Sequence, residues 1–315
     1  MFNTFFDAWS SMIRPGASAP ARRVSGSQFS HGLHEDGEHA LHYRLFIPGG
    51  ARDPMPLIVM LHGCGQDATD FAAGTGMNAL AEEHGCLVLY PEQSCGAHWN
   101  RCWNWYDGEH HLRGAGEPAL IAGLTRRIMA EHAVDPARVA VAGLSAGGAM
   151  AVILGRTYPD LFSAVGCHSG LAHGSASSDA GALLAMRTGA GSSAPAPASE
   201  HAGVPVIVFH GDADTTVHRT NGGGVIRQCL DSHAVQGSVA DAGVAVVAET
   251  GRSGGRAFTR HVHREPTGSV LAEQWTVHGA GHAWSGGDLR GSYTDTRGPN
   301  ASEEMLRFFI GRMDG

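Results

Sequence analysis

The stretch VAVAGLSAGGAM, Val139 to Met150, runs an apolar β-branched segment into Gly-Leu-Ser-Ala-Gly and then into small, helix-compatible residues. A Gly-x-Ser-x-Gly match means little in a chain with 45 glycines in 315 residues, and Gly251-Arg-Ser-Gly-Gly255 fits the same pattern. Context separates the two. The second match lies between VAVVAE and AFTRHVH, two strand-like runs, and predicts a hairpin loop. Ser145 instead follows the strand-like RVAVAGL and precedes the helical AGGAMAVILGRTY. A sharp strand-to-helix turn is what a nucleophile elbow requires: the glycines permit close backbone contact and the serine is held at the sheet edge. The helix that follows aims its N-terminal N–H groups at negative charge developing there.

Outward from this elbow, short apolar runs alternate with longer helical patterns. Strands are predicted at Leu41–Ile47, Leu57–His62, Cys86–Tyr90, Val139–Gly143, Ala164–Cys167, Val204–His210 and Glu273–Val277. Helices are predicted at Met77–Glu83, Pro118–His132, Ala146–Tyr158, Gly224–Ser232 and Ser302–Met313. This alternation predicts an α/β fold with a mainly parallel central sheet and helices on both faces. The fully apolar LIVML and VIVF runs fit strands buried on both sides. Residues 171–202, rich in Ala, Ser and Gly and ending in APAPAS, read as an insertion with at most one short helix. Residues 1–36 read as an N-terminal extension and 37–315 as one catalytic domain. In the extension Phe2, Phe5, Phe6, Trp9, Met12 and Ile13 form one apolar stripe at helical spacing, either packed on the protein's own body or docked on an apolar surface such as a granule.

A net charge of −8 without a basic block argues against nucleic-acid or anionic-membrane partners. No apolar run reaches the roughly 18 residues of a spanning helix. The N-terminus lacks the basic and apolar regions of a secretory leader, which together with the cysteine usage points to a reducing, cytoplasmic compartment. The six cysteines contain no C-x-x-C pair. Cys86 and Cys167 read as buried thiols, while Cys95 and Cys102 flank a loop, leaving a disulfide open. His278 and His282 are four apart, but the glycine-broken HGAGH is no helix, so no metal site is expected.

A serine hydroxyl needs a base, and the base an orienting acid. In elbow folds they follow in the order Ser, Asp/Glu, His, each on a loop after a later strand. The loop GDADTTVH after VPVIVFH offers Asp212 and Asp214; AGHAWSGG after EQWTVHG offers His282. The tetrahedral oxyanion needs two donors: Ala146 N–H after the serine, and one from the early loop VMLHGCGQD, from Cys64 or its neighbour. Cys64 as nucleophile has no histidine placed to activate it.

Taken together, LHGCGQ, FAAGTGMNALAEEHG, LVLYPEQ, NRCWNWY, GEPALIAGLTRRIM, VDPARVAVAGLSAGGAM, HSGLA, FHGDADTTVH and GAGHAWSGG resemble the polyhydroxybutyrate depolymerase-type esterases, α/β-hydrolases whose relatives also act on feruloyl and acetyl esters. The resemblance runs in order from His42 to Phe309. It implies an α/β-hydrolase fold and a cofactor-free serine esterase with Ser145 as nucleophile, Asp214 as acid, His282 as base, and Cys64 and Ala146 as oxyanion donors. It further implies that Trp105 or Trp284 lines an acyl groove, the alternative being that these tryptophans and Trp103 fill core space, with His62 as another substrate contact. In this picture Cys64 and Cys102 lie near the site, where a bridge between them is open. The chain departs from the pattern at Gly65, where many relatives have Thr, and at His173, where relatives often have Cys, so a disulfide using that position is not expected. With no linker or C-terminal polymer-binding module seen, soluble hydroxybutyrate oligomers, amorphous polyester or simple esters are expected as substrates. The rival substrates are feruloyl or acetylxylan esters of plant walls. A rival of another class is a non-catalytic hydrolase-fold protein that binds polyester granules.

Overall fold

The structure, a computed structural model, describes residues 26–50, 54–189, 203–235 and 243–313. The Phe2–Ile13 stripe and the APAPAS tract lie outside the described residues. Ten strands form one sheet among the described residues: β1 (Gln28–Asp36), β2 (His39–Ile47), β3 (Met55–Leu61), β4 (Leu87–Glu92), β5 (Val134–Leu144), β6 (Ala164–His168), β7 (Val206–Gly211), β8 (Ala245–Ser253), β9 (Arg256–Arg264) and β10 (Val270–Val277). Their order is β1-β2-β4-β3-β5-β6-β7-β10-β9-β8. The centre, from β4 through β3, β5, β6 and β7 to β10, is parallel. Antiparallel hairpins close both edges.

The continuous apolar runs are explained by two cores, one on each face. In β3, Leu57, Val59 and Leu61 face one core while Ile58 and Met60 face the other, and all five are fully buried. In β5, Val139 and Val141 join the first core, and Ala140, Ala142 and Leu144 the second. The helices α3 (Gly116–Glu131), α4 (Ala146–Thr157) and α6 (Thr220–Val235) contribute Ile121, Met150 and Val225 to the first core. Opposite them, α1 (Ala68–Thr75), α2 (Met77–His84) and α7 (Ala301–Met313) contribute Phe71, Met77 and Phe309 to the second. This is the expected α/β-hydrolase architecture of a parallel sheet covered on both sides.

Two elements differ from expectation. β1 falls inside residues 1–36, read as an extension, so the sheet begins at Gln28. It is an edge strand with eight of its nine positions at least partly exposed, and its polar QFSHGLHED lacks an apolar face. α1 went unforeseen because it is short and rich in small residues, although Asp67 caps it by accepting the Thr69 and Asp70 N–H groups. Within the 171–202 insertion, α5 (Asp179–Thr188) is the single short helix expected among the described residues, and it docks Ala182 and Ala185 into the first core. The second Gly-x-Ser-x-Gly match is the β8–β9 hairpin: Ser253 pairs with Arg256 across a turn whose Gly254 and Gly255 have φ of +53° and +82°.

Candidate active site

Ser145 lies between β5 and α4, at the carboxyl end of the parallel strands, where open α/β sheets bind their ligands. Its φ of +58° is a sterically costly backbone conformation for a residue with a Cβ. Two contacts hold it there: Ser145 N–H donates to the His168 carbonyl (2.8 Å), and the Ser145 carbonyl accepts from Ala149 N–H (2.9 Å). The flanking glycines permit the turn. A Cβ on Gly147 would overlap the carbonyl oxygens of Leu61 and His62, and one on Gly143 would overlap the backbone of Gly147. No side chain caps α4, so its first-turn N–H groups, Ala146 included, stay open at the elbow.

The loop after β7 carries both candidate acids, Asp212 and Asp214, and the candidate base His282 follows β10 together with His278; the structure sorts the four into two pairs. Asp214 Oδ2 accepts from His282 Nδ1–H at 2.7 Å, and its Oδ1 accepts the Thr216 and Val217 N–H groups, each at 2.9 Å. His210 Nε2–H donates to the Val217 carbonyl (2.8 Å) and lies 3.4 Å from Asp214 Oδ2. Burial by itself pushes the Asp214 carboxyl up. Hydrogen bonds from His210, His282 and Val217 N–H outweigh it and hold the group ionised well below the usual carboxylate range. With Nδ1–H committed to Asp214, His282 presents Nε2 as its free acceptor, the nitrogen a serine proton would need. Asp212 pairs instead with His278 Nδ1 (2.7 Å) and Gly279 N–H (2.7 Å), and His278 Nε2 lies 2.9 Å from Thr259 Oγ1. The inner pair is the buried one: the side chains of Asp214 and Asp212 are 0% and 24% exposed.

The loop after β3 is fixed at every position around Cys64. Gly63 N–H donates to Gln66 Oε1 (2.9 Å), Gly65 N–H to the Asn100 carbonyl (2.7 Å), and Gln66 N–H to the Gly63 carbonyl (3.2 Å). Cys64 itself is bridged to Cys102. None of these bonds uses the Cys64 N–H, which remains available beside the elbow. Gln66 Nε2 continues the brace to Asp70 Oδ2 (2.8 Å) and the Ser292 carbonyl (3.0 Å).

Two expected substrate contacts are corrected. Trp284 is fully buried, donates Nε1–H to Ser302 Oγ (3.0 Å), and packs edge-on against Phe71, so it has no ring surface for an acyl chain. His62 is also fully buried, with Nδ1–H on the Gly63 carbonyl (2.8 Å) and Nε2 accepting Gln93 N–H (3.0 Å). Both its nitrogens are spent shaping the loop. Trp103 is wholly in the core, and Trp105, 5% exposed, shows a substrate at most an edge.

One residue behind the site was missed. His168 is sandwiched between Phe209 and Trp284; its Nε2 accepts Ser285 N–H (3.0 Å) and its Nδ1–H donates to Ser169 Oγ (3.1 Å). Burial, then the neighbouring His210 and His282, push it down to about 3, so it stays neutral. Its carbonyl holds Ser145 and its ring holds the strand after His282, tying the Ser145 turn to the His282 loop. Among 20 histidines no sequence signal marks it beyond its place at the end of β6. Among the described residues no three His, Cys, Asp or Glu side chains cluster as metal ligands, and no helix is long and apolar enough to cross a membrane.

The family described as Esterase PHB depolymerase matches residues 41–253. Poly(3-hydroxyalkanoate) depolymerase C of Paucimonas lemoignei is 32% identical over 245 residues, covering 75% of this chain and 56% of that protein. Poly(3-hydroxybutyrate) depolymerase of Ralstonia pickettii is 30% identical over 287 residues, covering 84% and 54%. The chain thus spans about half the length of these relatives. Among solved structures, the acetyl xylan esterase from Aspergillus awamori superposes with a TM-score of 0.68 at 17% identity, over 90% of this chain and 99% of that one, a likeness of fold.

Proposed function

Because the chain belongs to the PHB depolymerase esterase family, we propose that it hydrolyses carboxylic esters through an acyl-enzyme on Ser145. The observation that carries this reading is the buried 2.7 Å Asp214–His282 bond on the loops that follow the elbow strand in sheet order. Ser145 Oγ attacks the ester carbonyl as His282 Nε2 takes its proton, and the ionised Asp214 fixes the imidazole tautomer and stabilises the imidazolium. The N–H groups of Ala146 and Cys64 receive the oxyanion, each worth on the order of 3 kcal/mol of barrier. The imidazolium then protonates the leaving alcohol, and water, deprotonated by His282, releases the acid. No cofactor enters the scheme.

The substrate we assign is a short hydroxyalkanoate ester, in line with the two depolymerases it resembles. The test is a paired assay of wild type and Ser145→Ala on p-nitrophenyl butyrate, a hydroxybutyrate trimer and methyl ferulate. Loss of at least about 10⁴-fold in the variant is expected. Turnover of the trimer supports the hydroxyalkanoate assignment, and turnover of methyl ferulate alone moves the substrate to plant-wall esters. A wild type that binds polyester granules and cleaves nothing is a binding protein.

A further inference from the structure

Five non-glycine residues among the described residues have positive φ: Arg101, Ala133, Ser145, Ser169 and Tyr293. Ser145 is the elbow, Ser169 supports it through His168, and Arg101 adjoins the bridged Cys102. Tyr293 has no part in the scheme above. An aromatic residue in the left-handed region is uncommon and persists where its neighbours over-determine it. That holds here on both sides. Ser292 donates N–H and Oγ–H to Asp70 (2.9 and 2.6 Å), and its carbonyl accepts from Gln66. Thr294 Oγ1 lies 3.0 Å from the carbonyls of both Asp288 and Gly291. The two-residue strands β11 (Trp284–Ser285) and β12 (Thr294–Asp295) pair alongside.

This frame leaves Tyr293 52% exposed although its backbone is pinned. The Tyr293 carbonyl accepts Trp284 N–H (2.7 Å), two residues beyond His282. Its hydroxyl reaches the other loop of the site, ending 4.0 Å from where a Cβ on Gly65 would stand, beside Asn100 Oδ1 at 3.5 Å from the same point. Gly65, with φ of +77°, leaves that space open. Tyr293 therefore joins the segment that follows His282 to the Cys64 loop.

In the tetrahedral intermediate the oxyanion points to Cys64 and Ala146, and the leaving oxygen to His282 Nε2. A side chain joining those two loops flanks the leaving alcohol, away from the acyl chain. We infer that Tyr293 is a specificity-determining residue for the alcohol half of the ester, its ring packing on a short carbon skeleton and its hydroxyl donating to a carbonyl carried by that alcohol. The leaving 3-hydroxyacyl unit of a hydroxyalkanoate has this chemistry, with a carbonyl two carbons from the hydroxyl. The inference rests on the esterase reading of Ser145.

The experiment follows butyrate release from two butyrate esters of secondary alcohols, sec-butyl butyrate and ethyl 3-(butyryloxy)butanoate, whose butyryl cleavage passes through the same butyryl-enzyme while the alcohol differs in its carbonyl. Tyr293→Phe is expected to raise KM for the carbonyl-bearing ester roughly 5- to 10-fold, the value of one neutral hydrogen bond, with KM for sec-butyl butyrate and kcat on both unchanged. Tyr293→Ala weakens both esters, since the packing surface goes too. Equal treatment of the two esters by Tyr293→Phe, or no effect of Tyr293→Ala on either, overturns the inference while the esterase reading stands. A wild type inert toward both esters, or activity surviving Ser145→Ala, overturns the reading and the inference with it.

Discussion

Replacing Asp214 by Asn changes one atom, and the surrounding hydrogen bonds dictate which way the new amide must lie. Oδ1 accepts two backbone N–H groups, from Thr216 and Val217, and an amide NH2 in that position would set donors against donors. The Asn oxygen is therefore held at the Oδ1 place and its NH2 falls at the Oδ2 place, 2.7 Å from His282 Nδ1 and 3.4 Å from His210 Nε2. His282 can meet that donor only by giving up the Nδ1 proton. Its proton moves to Nε2, where it can no longer accept from Ser145, and the carboxylate that stabilised the imidazolium is gone. A tautomer error of this kind lowers kcat about 10⁴-fold, or about 5.4 kcal/mol of barrier. The assay is kcat on p-nitrophenyl butyrate at pH 7 to 9, with circular dichroism to show that the variant is folded. Asp212→Asn, which alters the outer pair alone, serves as the comparison and is expected to lose less than about 10-fold. Losses of equal size in the two variants, or less than 10-fold for Asp214→Asn, would refute the assignment of the inner pair.

Other expectations follow from the same contacts. Gly147→Ala forces a Cβ into the Leu61 and His62 carbonyls and should cost about 3 kcal/mol in urea unfolding; a cost below 1 kcal/mol would contradict the close approach of α4 to β3. The Cys64–Cys102 bridge spans 38 residues, so Cys102→Ala should lose up to about 4 kcal/mol by chain entropy and slow acylation by loosening the Cys64 N–H. Thiol titration of the denatured, unreduced protein should find four thiols, from Cys86, Cys95, Cys167 and Cys229, and six would disprove the bridge. Burial pushes His168 and His173 down to about 3, against about 6.5 unfolded. Their neutral forms stabilise the fold fully above pH 6.5. That stability is lost as pH falls from 6.5 toward 3, at about 1.4 kcal/mol per pH unit for each. Urea midpoints at pH 7, 6, 5 and 4 in wild type and His168→Gln should differ in slope by one such increment.

The elbow, the two-sided strands and the hairpin at Ser253 were legible because each is decided within a dozen residues. A central strand such as LIVML is apolar throughout because both its faces are buried, and the helix after Ser145 keeps small residues where the backbone approaches β3. The edge strand β1 left no such mark, since an exposed edge imposes no apolar period. Its hairpin did leave one, in Gly37 (φ +59°) opening the two-residue turn to β2.

Sequence by itself determined the fold class, the strand-to-helix turn at Ser145 and the order of the later loops that carry Asp214 and His282, because these follow from local period, turn chemistry and chain direction. Reading the residues alone left Asp212 and Asp214 equivalent, and the family resemblance picked Asp214; the tertiary structure supplies the physical reason, burying Asp214 against His282, 68 residues away, and leaving Asp212 on His278. It also decided that Trp284 and His62 are buried supports rather than substrate contacts, and that Tyr293 stays exposed. A polar or aromatic side chain is compatible with core, scaffold or site, and the choice among them is made by hydrogen-bond partners that distant segments supply.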